Sequence, residues 1–209
     1  MKQIYFIRHG ETDNNKKNRL QGRGINSSIN ENGRLQGEEI AEALKGVPIQ
    51  KIVVSSLIRT LETATPLIEQ KDALVESYSE LDEMSFGIWE GAYFKDVKDE
   101  IHELNAKWIS GDVTAEVEKG ESPQQVYERA GAKVIEILKA SEEEYIAFVI
   151  HGRLIRILLS EFVGKGLKNM HLIKHQNGAI NHLLWNGDSF EVVNLNMTKH
   201  LSMKAVEWM

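Results

Sequence analysis

The chain has 209 residues, 42% of them hydrophobic and 27% charged, a balance that excludes disorder as its main state and suits one compact domain. Its 25 basic and 31 acidic residues leave a net charge of −6, which argues against a dedicated nucleic-acid binder but not against a locally basic site for a small anion. Cysteine is absent, so disulfides, a thiolate nucleophile and Cys-ligated zinc are excluded.

Ile4-Tyr5-Phe6-Ile7 is too short for a signal-peptide core, which needs about 7–15 apolar residues. No apolar run approaches the roughly 18 residues that suggest a membrane span. The expectation is a cytoplasmic protein with neither a membrane nor a nucleic-acid partner. Residues 3–7 read as a short buried strand, as do 51–54 and 145–150, each apolar and bounded by polar residues. A helix over about 32–44 follows the first strand. Another, over 58–68 with Pro66 near its end, follows the second.

Segment 92–120 is polar and loosely helical, with four lysines, seven acidic residues and no arginine, and reads as part of a helical cap beside the sheet. Ser122-Pro123-Gln124-Gln125 then opens a helix with Ser as N-cap, Pro at the first position and Gln three residues after the cap. Val126, Ala130, Val134 and Leu138 stack along it. Beyond the third strand, Leu154, Ile155, Leu158, Leu159 and Phe162 form a wide apolar face, so a helix over 154–163 is well buried. Runs 179–184 and 189–195 flank Asn186-Gly187-Asp188, a hairpin signal. The tail over 198–209 reads equally as docked or fraying. Strand–helix alternation implies a three-layer α/β/α sandwich with a mostly parallel sheet, an antiparallel strand and a small helical cap, all in a single domain over 1–209.

Ligands of open α/β sheets bind beyond the carboxyl ends of the strands. The first strand ends in Arg8-His9-Gly10-Glu11-Thr12, and the second in Ser55-Ser56 with Arg59 in the next helical turn. The third ends in His151-Gly152, and a further loop holds Leu81-Asp82-Glu83. Arginine forks and a helix N-terminus suit phosphate oxygens. A neutral imidazole is a nucleophile toward phosphorus, and a second histidine, if protonated, balances charge on the transferring group. A carboxyl group beside the ester protonates the departing alkoxide and later activates water. No Asp/His cluster has metal spacing, so neither metal nor cofactor is expected.

These residues resemble the histidine phosphatase superfamily, the phosphoglycerate mutase-like proteins. Arg8-His9-Gly10-Glu11-Thr12 with Asn15 is similar to its signature, and Asn18-Arg19-Leu20-Gln21-Gly22 to its phosphate-binding loop. Ser55-Ser56-Leu57-Ile58-Arg59, Leu81-Asp82-Glu83-Met84 with Gly87-Ile88-Trp89-Glu90-Gly91, and His151-Gly152 follow in the family's order. The resemblance implies a phosphohistidine intermediate on His9 and Glu83 as general acid/base. It also implies a phosphate site of Arg8, Asn15, Gln21, Arg59, His151 and Gly152. Asn14 departs from the family pattern, where an aromatic is common, which bears on packing of the entry loop.

Met84 stands where the mutase branch carries arginine, and the 92–120 segment lacks the basic cluster that grips a phosphoglycerate. The phosphatase branch therefore fits better, with a small phosphate ester as substrate. A cofactor-dependent phosphoglycerate mutase is the alternative, and a catalytically silent binding protein is an alternative of another class. Taken singly, Arg59 reads as a surface partner of Glu62 and either Asp82 or Glu83 as a solvated acid. Arg156 reads as structural, its spacing from Arg153 placing both on a polar helix edge, with partial access to the phosphate as the alternative. His102, His171, His175, His182 and His200 read as ordinary surface or partly buried residues.

Overall fold

The computed structural model describes residues 1–202. Six strands form one sheet in the order β3-β2-β4-β1-β5-β6. They are β1 (Lys2–Arg8), β2 (Lys51–Ser55), β3 (Leu74–Tyr78), β4 (Tyr145–Ile150), β5 (Ile180–Trp185) and β6 (Phe190–Met197). Pairs β1–β4, β2–β4 and β2–β3 are parallel, whereas β5 runs antiparallel to both β1 and β6. The helices are α1 (Asp13–Lys16), α2 (Glu31–Ala43), α3 (Ile58–Gln70), α4 (Lys98–Ser110), α5 (Pro123–Ala140) and α6 (Gly152–Phe162).

Alternation along the central strands builds two separate cores, one on each face. Ile4, Phe6, Val53, Ile146 and Phe148 face α5 and α6, with Val126, Val134, Leu154 and Leu158 packed against them. Tyr5, Ile7, Ile52, Val54 and Val149 face the other way, toward Ile40 and Ala41 of α2 and Ala64 and Leu67 of α3. The result is the expected three-layer α/β/α sandwich.

Most elements follow their local chemistry. Ser122 caps α5 through a reciprocal pair with Gln125, and Val126, Ala130, Val134 and Leu138 are fully buried. Asn186 closes the β5–β6 hairpin by accepting from the N–H groups of Asp188 and Ser189. Pro66 lies inside α3, which runs on to Gln70 rather than ending near the proline. The sequence reading has no strand over β3. Leu74 and Val75 are exposed on this edge strand, so burial pattern does not reveal it, and its ladder to β2 alone defines it.

Within 92–120, α4 buries Leu104 and Trp108 in the same apolar core as the sheet, and the Trp108 indole N–H donates to the Ala115 carbonyl. Of the tail, Leu201 is buried, His200 Nε2 meets the Gly178 carbonyl and the Ser202 N–H donates to Glu39. The rest of the tail lies outside the described residues.

Candidate active site

The carboxyl ends of β1, β2 and β4 meet at one edge of the sheet, as crossover connections require. His9 follows β1 directly and is buried. Its Nδ1 lies 2.7 Å from the Gly10 carbonyl, an acceptor only, so Nδ1 carries the proton and Nε2 keeps its lone pair. Burial, then Arg59 and Arg8, hold the His9 pKa well below that of a free imidazole, so the ring is neutral at pH 7. Thr63 on α3 accepts from the Gly10 N–H, and Asn177 donates to the His9 carbonyl. Gly10 is required for close approach, because a Cβ there would lie 2.5 Å from the Gly33 carbonyl oxygen of α2.

His151 and Arg59 sit one layer deeper, and both are fully buried. The His9 and His151 rings meet edge to face at 5.3 Å between centroids. Arg59 Nε donates to His151 Nδ1 at 3.2 Å, so Nε2–H of His151 donates to Ser55 Oγ at 2.7 Å. Burial, then Arg59 and His9, hold the His151 pKa well below the ordinary value, and this ring too is neutral rather than cationic. The Arg59 guanidinium also donates to the carbonyls of Ile25 and Gly22, so three of its five N–H groups are engaged. Neither residue lines the cavity in front of His9; both are buried beside that ring. The carbonyls of the 22–25 loop capture Arg59 beneath the floor. Glu62, its expected surface partner, instead accepts from the Ile29 N–H.

Asp82 and Glu83 divide cleanly. Asp82 accepts from the Ser56 N–H and hydroxyl and ties its loop to the end of β2. Glu83 faces the cavity. Its Oε1 accepts from the N–H groups of Met84 and Leu154, and its Oε2 from that of Arg153. Oε1 has both lone pairs engaged, whereas Oε2 keeps one open. The leading N–H groups of α6 are thus taken up largely by Glu83 instead of being left for a phosphate.

Gly152 opens α6 against the side chain of Arg8. A Cβ at this position would lie 2.9 Å from Arg8 Cζ and Nε. Arg8 itself lines the cavity and donates to the His175 carbonyl at 3.2 Å. Burial, with Arg156 alongside, lowers its pKa to about 10, which leaves it cationic at pH 7. Gly152→Ala is expected to displace this guanidinium and lower kcat/KM about 100-fold, the scale of an ångström-size misplacement. Steady-state kinetics beside a melting curve checks it; a stable variant with unchanged kcat/KM shows that the glycine does not place Arg8.

The cavity measures about 450 Å³. Arg8, His9, Asn15, Gln21, Glu83 and Gly152 gather at its base. Asn15 Oδ1 is fixed by Thr12 and by Asn177 Nδ2. Gln21 donates to Thr12 and accepts from Ser27 and from Asn14, so Asn14 joins a polar entry-loop network where an aromatic would pack. Arg153 and Arg156 also line the cavity, so the polar edge of this helix faces the site. Among the lining residues Glu83 is the only acid, and it shares the cavity with Arg8, Arg19, Arg153 and Arg156. Positive charge missing from segment 92–120 is therefore supplied by α6 and the 19–21 loop.

The family model of the histidine phosphatase superfamily (branch 1) matches residues 4–198. The chain belongs to this superfamily. A relative named "Probable phosphoglycerate mutase GpmB", from Citrobacter koseri, is 25% identical over 99% of this chain and 98% of its own length. The structure of a phosphoserine phosphatase from Entamoeba histolytica in complex with 3-phosphoglyceric acid superimposes with a TM-score of 0.85. It is 27% identical and covers 96% of this chain and all of the other. A mycobacterial glucosyl-3-phosphoglycerate phosphatase with bound VO3 gives 0.86 at 25% identity, covering 95% of this chain and 100% of its own.

In this histidine phosphatase, two residues outside the sequence-level motifs shape the site. Arg129 on α5 grips Glu121 with two hydrogen bonds and also donates to the carbonyls of Glu80, Asp82 and Glu83. It thereby fixes the loop that presents Glu83. Asn177 ties the backbone of His9 and Gly10 to Asn15. Neither leaves a local signal, because most of their partners are distant backbone carbonyls. His175, expected among ordinary histidines, is buried beside Arg8, and burial, then Arg8, lowers its pKa well below the usual value.

Proposed function

We propose that the chain is a phosphomonoesterase that passes the phosphoryl group of a small ester to His9 Nε2 and then to water. The observation that carries this reading is the His9 ring, held neutral with Nε2 unprotonated at the base of an arginine-lined cavity. Arg8, with Asn15 and Gln21, holds the phosphoryl oxygens. Arg59 acts from the layer beneath as a fixed cation beside His9, and His151 orients its guanidinium. Glu83 gives a proton from Oε2 to the leaving oxygen and takes one from the attacking water. Negative charge that spreads over the transferring group meets positive charge already in place, so little reorganisation is needed during the reaction.

The 92–120 segment serves as the cap, and small esters of the kind named for the relatives are the substrates. The setting is cytoplasmic; no helix among the described residues is long and apolar enough to cross a membrane. The step needs no metal ion, since imidazole supplies the nucleophile and arginine the charge. Phosphate release from an aryl phosphate is expected to be unchanged by EDTA. Loss of activity that added divalent metal restores would contradict the metal-free step.

The arginine-lined cavity also favours a second reading, phosphoglycerate mutase activity. Isomerisation of a phosphoglycerate that depends on a bisphosphoglycerate primer, at a rate above that of hydrolysis, would establish it.

A further inference from the structure

Arg153 is the second residue of α6. Its backbone N–H holds Glu83 Oε2 at 3.0 Å, so its side chain is rooted beside the oxygen that keeps an open lone pair. The guanidinium lines the cavity and lies 5.3 Å from the centre of the Trp108 ring on α4. Among the described residues it accepts no carboxylate partner at salt-bridge distance, and its N–H groups make no hydrogen bond to protein. Arg156, one turn further along α6, lines the same wall, and Arg8 continues the row toward His9. Burial, then Arg156, lowers the Arg153 pKa to about 10 against the opposing pull of Glu83, which leaves it cationic at pH 7. An arginine whose planar fork is open, stacked on an aromatic ring and half-buried is arranged for a ligand carboxylate or phosphate.

We propose that Arg153 forms a second anion subsite. The preferred substrates are then phosphomonoesters whose leaving group carries a carboxylate or another phosphate within a few bonds of the ester oxygen. The inference rests on the hydrolase reading, because Glu83 marks the place of that oxygen. The phosphoryl group to be transferred lies at Arg8 and His9. The second anion lies on the far side of the ester oxygen, between Arg153 and the α4 wall. A neutral leaving group would cover the half-buried guanidinium without pairing it, so the subsite selects against it.

Three esters with the same three-carbon chain test this: 3-phosphonooxypropanoate, propane-1,3-diol bisphosphate and propyl phosphate. The wild type is expected to prefer at least one of the two anion-bearing esters over propyl phosphate by about 30-fold or more in kcat/KM. Arg153→Met keeps the backbone N–H and an apolar stem against Trp108. It is expected to remove at least tenfold of that preference while propyl phosphate stays within about threefold, and Arg153→Lys to restore part of it. The favoured ester tells whether carboxylate or phosphate is the second group. Equal rates of the wild type on all three esters, or an equal loss on all three in Arg153→Met, overturns the subsite and leaves Arg153 as a contact between α6 and α4. Calorimetric binding of the same esters to His9→Ala, with and without Arg153→Met, reads the preference without turnover. Should the wild type fail to hydrolyse even an aryl phosphate, the hydrolase reading falls, and the binding preference still decides the subsite.

Discussion

His9→Ala is expected to abolish hydrolysis, on the order of 10⁵-fold or more, while the protein still folds. No neighbour replaces the nucleophile: both ring nitrogens of His151 are engaged, by Arg59 and by Ser55, and His175 does not line the cavity. The structural cost is small by comparison. The His9 ring contributes one hydrogen bond to the Gly10 carbonyl, whereas Asn177 and Thr63 hold the surrounding backbone without it. Rapid quenching of the wild type with radiolabelled substrate is expected to trap an acid-labile phosphoryl-enzyme that the variant lacks. The pH dependence has a definite sign. Burial, then Arg59 and Arg8, lower the His9 pKa, so the ring stays unprotonated as pH falls through 6.5, the value of a free imidazole. Phosphorylation of His9 in a single turnover at saturating substrate should therefore persist below pH 6.5. A fall centred on 6.5 in that step, or residual turnover in His9→Ala near the wild-type rate, would falsify His9 as the nucleophile.

Much of this site is written locally. Arg8 and His9 stand at the end of a contiguous apolar strand, and the Gly10-Glu11-Thr12 string fixes their register, so chain order alone brings them to the sheet edge. His151 is legible for the same reason at the end of β4. Position within a layer is another matter. Nothing near Arg59 announces that the carbonyls of Gly22 and Ile25 will hold it beneath the floor, since backbone acceptors are present in every loop. Arg153 and Arg156 form a polar edge in a helical projection, which does not say what that edge faces. They become cavity walls because α4, some fifty residues earlier, folds over that side of α6. Arg129 is illegible for a related reason: its worth lies in three carbonyls of the 80–83 loop, which carry no side-chain signature. Edge strand β3 escapes because its ladder is one-sided and its leading side chains, Leu74 and Val75, are exposed.

Glu83→Gln is expected to separate substrates by their need for a proton. An alkyl ester leaves as a strongly basic alkoxide, so loss of the acid should slow it by about 10²–10⁴-fold, the usual contribution of a positioned general acid. An aryl ester leaves as a weakly basic phenoxide, and its first step should change little. The substitution is nearly isosteric, but it is not silent in the hydrogen-bond network. The amide oxygen can replace only one carboxylate oxygen as acceptor for the N–H groups of Met84, Leu154 and Arg153. If the amide NH2 takes the Oε2 place, it faces the Arg153 N–H as donor against donor, and the start of α6 is strained there. That strain would slow both esters alike, whereas loss of proton transfer slows only the alkyl one. The informative quantity is therefore the ratio of alkyl to aryl rates, together with the thermal midpoint. A ratio that collapses by 10² or more in a folded variant assigns the proton to Glu83. A parallel fall of both rates, with a lowered midpoint, would reassign Glu83 to holding the α6 terminus and Arg153 in place. Because the Arg153 N–H donates to Oε2, Glu83→Gln joined to Arg153→Met is expected to show coupling in the rates of an anion-bearing ester, since one leaving group meets both side chains.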